Sequence, residues 1–127
     1  MTLAKKLLSE ASDEVEAMNI AVTLPKTTDF HGKYQEELRA AEGGALLKFK
    51  VPVYPNRAPV GSRCYLYWKG RCVGWHQIVA YKGEEFICST TGRAWRGKFI
   101  CRSGRLHTPP PEASPMPPFR GFRYVDF

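Results

Sequence analysis

From Arg63 to Arg102 the chain is a series of short apolar–polar alternations cut at Gly-containing turns, a pattern that leaves few architectures open. Arg63–Trp68 alternates as a strand, Lys69-Gly70 is a tight turn, and residues 71–81 make a longer strand. Lys82-Gly83-Glu84 reads as a second turn, residues 85–90 as a strand, and residues 95–102 as a further one after Thr91-Gly92. Successive hairpins with almost no chain between them give an antiparallel sheet. Gly74 falls inside the longest strand, which predicts a bulge or bend of the kind that lets a sheet curl into a barrel.

The flanking segments complete an α+β plan. In residues 45–53, Leu47, Phe49, Val51 and Val53 alternate with Lys48 and Lys50, the pattern of a strand with one face in a core and one in water. Pro52, Pro55 and Pro59 then make a stiff connection that cannot be helical. Residues 20–24 are β-branched enough for a short strand before Pro25, after which Thr28 or Asp29 caps a second helix over residues 32–41, ended by Gly43 and Gly44. Leu3, Leu7, Leu8, Ala11, Val15 and Met18 recur at helical spacing, predicting an amphipathic N-terminal helix over residues 2–18. Its apolar stripe suits docking on its own domain or a contact with a second copy. Residues 107–118 hold six prolines and read as an extended crossing, and the aromatics of residues 119–127 suit a last strand. A chain of 127 residues with 43% hydrophobic side chains closes one core, so residues 1–44 and 45–127 are the helical and β parts of one domain. No run approaches the roughly 18 to 20 apolar residues of a membrane span, and residues 1–20 lack a signal core, so the expected compartment is the cytoplasm.

Charge is concentrated in the second half. Residues 57–127 carry twelve Lys and Arg against four Asp and Glu, whereas residues 1–56 carry seven cations and eight acids. Nine of the twelve late cations are Arg, whose planar guanidinium forks onto phosphate or stacks on a base. Interleaved with aromatics, this is the surface expected of a nucleic-acid binder, although a strand face can also carry charge only to stay in water. Alternation over residues 95–102 puts Trp95, Gly97, Phe99 and Cys101 on one face and Arg96, Lys98, Ile100 and Arg102 on the other, predicting a core face and a cationic one. Lys69, Arg71 and Arg93, on neighbouring turns and strand ends, would join Arg96 and Lys98 in a patch able to follow a phosphate backbone. Selectivity needs a pocket, and Trp68, Trp75 and Tyr67 are candidates to stack on a base, although a single Trp is more often a core residue than a platform. Trp75 is favoured because Gly74 beside it allows a ligand or backbone to come close.

Other chemistry finds little purchase. Cys64, Cys72, Cys88 and Cys101 lie inside apparent strands without the close pairing of a zinc knuckle, so buried free thiols are favoured over disulfides or a metal, and no metal is expected. His31, His76 and His107 have no nucleophile in a recognisable context nearby. With no glycine-rich phosphate loop, HExxH or EF-hand, no cofactor is expected.

The segment Val60-Gly61-Ser62-Arg63-Cys64-Tyr65-Leu66-Tyr67-Trp68-Lys69-Gly70-Arg71-Cys72-Val73-Gly74-Trp75 resembles the central hairpin of the PUA-like superfamily, which includes the ASCH and EVE domains. Gly121-Phe122-Arg123-Tyr124-Val125-Asp126-Phe127 is similar to the strand that completes such a pseudobarrel. The resemblance covers residues 45–127 and implies a small, partly open antiparallel β-pseudobarrel with helices at its openings. It implies recognition of RNA or a modified base and, in some ASCH members, hydrolysis of a modified nucleoside amide. Ser62 stands where that family usually has an acid, and Pro25-Lys26-Thr27-Thr28 is the nearest echo of the Gly-x-Lys-Thr-type segment of hydrolytic members, so no catalytic residue carries over. The expectation is therefore a nucleic-acid-binding module using Trp68, Lys69, Arg71, Trp75, Arg93, Arg96, Lys98 and Arg102. A protein-interaction module and a small nucleoside amidohydrolase stand as alternatives.

Overall fold

The computed structural model describes residues 17–41, 46–87 and 92–127. The N-terminal helix expected over residues 2–18, with any dimer contact it makes, lies almost wholly outside them, as does Cys88. Six strands form one sheet in the order β2-β5-β4-β3-β1-β6: β1 is Asn19–Thr23, β2 Leu47–Val51, β3 Arg63–Trp68, β4 Arg71–Ile87, β5 Ala94–Arg102 and β6 Phe122–Val125. Between β1 and β2 a π-helical turn, Phe30–Tyr34, runs into α1, Gln35–Ala41. Asp29 caps this helical segment through side-chain bonds from the Gly32 and Lys33 amides, as the sequence suggests.

The sheet departs from the expected pseudobarrel in two ways. It is mixed, because β1 runs parallel to β3, and it stays open, with β2 and β6 at its two edges. The chain between β1 and β3 includes α1 and β2, a crossover long enough for a parallel return. The turn expected at residues 82–84 does not form either. β4 continues through Gly83, which pairs with Lys98, because β5 supplies partners from Ile78 to Ile87. Cross-strand pairing over that length outweighs the local preference of one glycine for a turn.

Two bulges shape β4. Its first half pairs with β3 and its second with β5, and register shifts occur opposite Leu66/Tyr67 and at Ile78/Ala80. Gly74 sits at the first with φ 152°, and a Cβ there would lie 2.6 Å from Leu106 Cδ1 and 2.7 Å from the His107 carbonyl oxygen. The Leu106 side chain and the His107 backbone make the close approach. At the β3–β4 turn Lys69 (φ 53°) and Gly70 (φ 84°) are both left-handed, matching the two-residue hairpin expected there.

The core fills both sides of the central strands. One cluster joins Ile20, Val22, Cys64, Leu66, Ile78 and Ile100 to Phe30, Tyr34 and Leu38 of the helical segment. The other joins Ala21, Tyr65, Tyr67 and Val125. Covering both faces defeats alternation in β5. Arg96 and Lys98 are exposed as expected, but Phe99, Ile100, Cys101 and Arg102 are all buried, so Arg102 leaves the expected cationic row. Among the described residues no helix is long and apolar enough to cross a membrane.

Candidate nucleic-acid interface

The expected site residues fall into separate groups. Trp68, Lys69 and Arg71 gather at the β3–β4 turn, where Trp68 faces Arg71 across the hairpin. The half-buried Trp68 ring stacks on Phe30 (5.5 Å, 28°), meets His31 edge-on (5.3 Å, 83°) and lies under the Lys69 Nζ (4.5 Å). Its Nε1 is buried without a hydrogen-bond acceptor. Arg93, Arg96 and Lys98 stand at the far end of the 17-residue β4, on and near β5. There Arg96 pairs with Glu85 at 3.2 Å and the Lys98 Nζ sits 5.5 Å from the Tyr54 ring.

Trp75 has neighbours on both flanks. His107 exchanges backbone hydrogen bonds with it in both directions and stacks on the indole at 3.9 Å and 13°. From β3, on the other flank of β4, the Arg63 guanidinium lies 4.3 Å from the ring. A base could stack on Trp75 only by displacing one of them.

Around Lys69 the structure adds residues that sequence spacing did not bring together. A cleft of about 450 Å³ lies between the end of β1 and the approach to β6, with Thr23, Pro25 and Lys26 on one side and Phe119, Arg120 and Gly121 on the other. Phe49 of β2 and Lys69 complete it. Lys26, Lys69 and Arg120 are exposed cations, Phe49 and Phe119 are half-buried aromatics, and no acid is among the described lining residues. The Thr23 hydroxyl is buried without a hydrogen-bond partner. Arg123 adds a guanidinium 4.8 Å from the Phe119 ring.

Local chemistry explains how these groups meet. Pro25 follows β1 and turns the chain away after Leu24, whose amide still bonds the Tyr67 carbonyl at 2.7 Å. The proline-rich crossing is tied down twice, by the Tyr67 hydroxyl donating to the Ser114 carbonyl (2.6 Å) and the Met116 amide donating to the Gly70 carbonyl (2.9 Å). Those ties bring Phe119 and Arg120 to the β3–β4 turn. A larger concavity of about 730 Å³ separates α1 from residues 103–106, and its described lining has Arg39 and Arg105 but no aromatic ring.

A polar cluster is buried between helix and sheet. His76 Nδ1 donates to the Arg105 carbonyl (2.9 Å), which leaves Nε2 to accept from the Tyr34 hydroxyl (3.1 Å). Burial, reinforced by the Arg102 charge, pushes His76 down to about 4, so the ring is neutral. Burial also raises the Tyr34 phenol and the Cys64 thiol, each opposed in part by Arg102 beside it. Among the described residues no group of three or more His, Cys, Asp or Glu converges as a metal site would require. No family model, curated protein or solved structure matches this chain.

Proposed function

We propose that this protein is a nucleic-acid-binding module of PUA-like architecture, taking an unstacked nucleotide of RNA, ordinary or modified, into the cleft beside Lys69. The observation that carries this reading is the lining: three cations and two aromatics, with no described carboxylate to repel phosphate. Lys26, Lys69 and Arg120 hold phosphate oxygens at the rim, and Phe49 or Phe119 offers a face to the base. A volume of about 450 Å³ suits one small ligand unit and not a duplex. Trp68 and Arg71 extend the same surface along the turn, while Arg93, Arg96 and Lys98 give at most a second, distant contact with a long strand.

A hydrolytic reading fares less well, because neither a histidine nor a carboxylate is among the described cleft residues to act as general base. Among the described residues a protein-docking reading has the exposed side chains Leu46, Val53, Val60 and Ile87 behind it, and the N-terminal helix it would also use lies outside them.

The test is titration of labelled single-stranded RNA at several salt concentrations. Each phosphate contact on a single strand contributes about −0.7 to the slope of log K against log salt, so three contacts give about −2. Replacing Lys26, Lys69 and Arg120 together by Ala should remove that slope. Salt-independent binding, or a triple variant that binds like the parent, refutes the reading.

A further inference from the structure

The concavity between α1 and residues 103–106 is bounded by two walls that the rest of the fold holds in place. Residues 103–107 are tied to β4 at three points: the Ser103 amide donates to the Gln77 carbonyl (2.9 Å), His76 Nδ1 to the Arg105 carbonyl (2.9 Å), and the His107 amide to the Trp75 carbonyl (2.9 Å). Opposite them, Tyr34 and Leu38 anchor the helical segment in the core, and the Tyr34 hydroxyl donates to the same His76 ring. The walls meet at Gly104, where a Cβ would lie only 2.5 Å from the Ala41 Cβ. A space of about 730 Å³ is thus preformed, and its size suits one small ligand. The lining divides by chemistry. Leu38, Ala41, Leu46, Val79 and Leu106 give apolar surface, while the exposed Arg39 and Arg105 stand one on each wall. Ser103 Oγ accepts from the Arg105 amide (3.4 Å), which leaves its proton for a ligand oxygen. No aromatic ring is among the described lining residues, and residues 42–45, which join Ala41 to Leu46, contain none, so a base finds no platform here.

We infer that this concavity is a second binding site, taking a small aliphatic oxyanion: a carboxylate or phosphate head on a saturated body. The guanidinium groups of Arg39 and Arg105 fork onto the head oxygens, and the body lies on Leu38, Leu46, Val79 and Leu106. Burying the body gives affinity that rises with its length, which a purely ionic contact does not. The site shares no described lining residue with the basic cleft beside Lys69, so the two bind independently.

The experiment is calorimetric titration of the full chain with acetate, butanoate, hexanoate, octanoate, octyl phosphate and octylammonium, each kept below the concentration at which it self-associates. Octanoate or octyl phosphate should saturate one site per chain, with a negative heat-capacity change, and each methylene from butanoate to octanoate should tighten binding about two- to fourfold. Arg39→Gln with Arg105→Gln should weaken the octyl anions at least about tenfold. The triple Ala variant of Lys26, Lys69 and Arg120 should bind them like the parent, so this site stands or falls apart from the RNA reading. The ligand series on the parent protein needs no folded variant. Three results overturn the inference: no saturable binding of either octyl anion, acetate bound as tightly as octanoate, or octylammonium bound as tightly as octanoate. Octanoate binding unchanged in the double Gln variant, or displaced by RNA, overturns it as well.

Discussion

Acidification should destabilise this protein through His76 before its carboxylates titrate. The ring is fully buried, donates from Nδ1 to a backbone carbonyl and accepts from Tyr34, so a second proton would break the Tyr34 bond beside the Arg102 charge. In the unfolded chain the histidine binds its proton at about 6.5, in the folded chain at about 4. The folded state thus binds fewer protons in this window, and stability present above pH 6.5 falls as pH drops toward 4. Linkage across the two values gives a loss of about 2 kcal/mol between pH 7.5 and 5, and about 3 kcal/mol in all. The half-buried His107, lowered by burial and by Arg105 and Arg63, adds a smaller loss of the same sign. Urea unfolding at pH 7.5, 6.5, 5.5 and 5 measures it, with a constant m value showing that one two-state transition is followed. His76→Gln should be less stable at pH 7.5 yet lack most of the slope. A parent protein equally stable at pH 7.5 and 5, or a variant with the parent's slope, refutes a neutral buried His76.

Three more outcomes follow from contacts already described. Gly74→Ala puts a Cβ against Leu106 and the His107 carbonyl at a φ of 152°, so chemical denaturation should show a loss of about 1 to 3 kcal/mol, and an unchanged midpoint would mean the crossing does not pack there. Tyr67→Phe removes the tie to Ser114, and limited proteolysis should find residues 107–118 cut faster, with RNA affinity falling alongside because Phe119 and Arg120 lose their support. Tyr34→Phe leaves His76 Nε2 without its donor and should cost about 1 to 3 kcal/mol at neutral pH by the same denaturation assay.

Where a segment meets water on one side, its spacing is an adequate guide. Leu47, Phe49 and Val51 alternate with exposed Lys48 and Lys50 in β2, and the Lys69-Gly70 hairpin, the bulge at Gly74 and the closing strand at Phe122–Val125 all form where residue types alone place them. The spacing becomes misleading once a second layer covers the polar face. Arg102 follows Arg96 and Lys98 at the same period but is covered, together with Ile100, by the helical segment carrying Tyr34 and Leu38. Trp75 illustrates a related limit: Gly74 does signal a close approach, but not that His107 is what approaches.

The cleft was the least legible part. Lys69 stands out from its turn, whereas Thr23, Lys26, Phe49, Phe119 and Arg120 come from three other segments with no common period. Their only signals were an aromatic-rich end after a run of prolines and a Pro-Lys-Thr-Thr stretch after the first strand. Residue order alone thus determined an α+β chain of short strands, its turns and its basic half, because these depend on neighbours within a few positions. Tertiary structure decided the parallel β1–β3 pairing, the uninterrupted β4, the burial of Arg102 and the meeting of Lys26, Lys69 and Arg120. Each of these depends on which distant surfaces exclude water from one another, and local spacing does not carry that information.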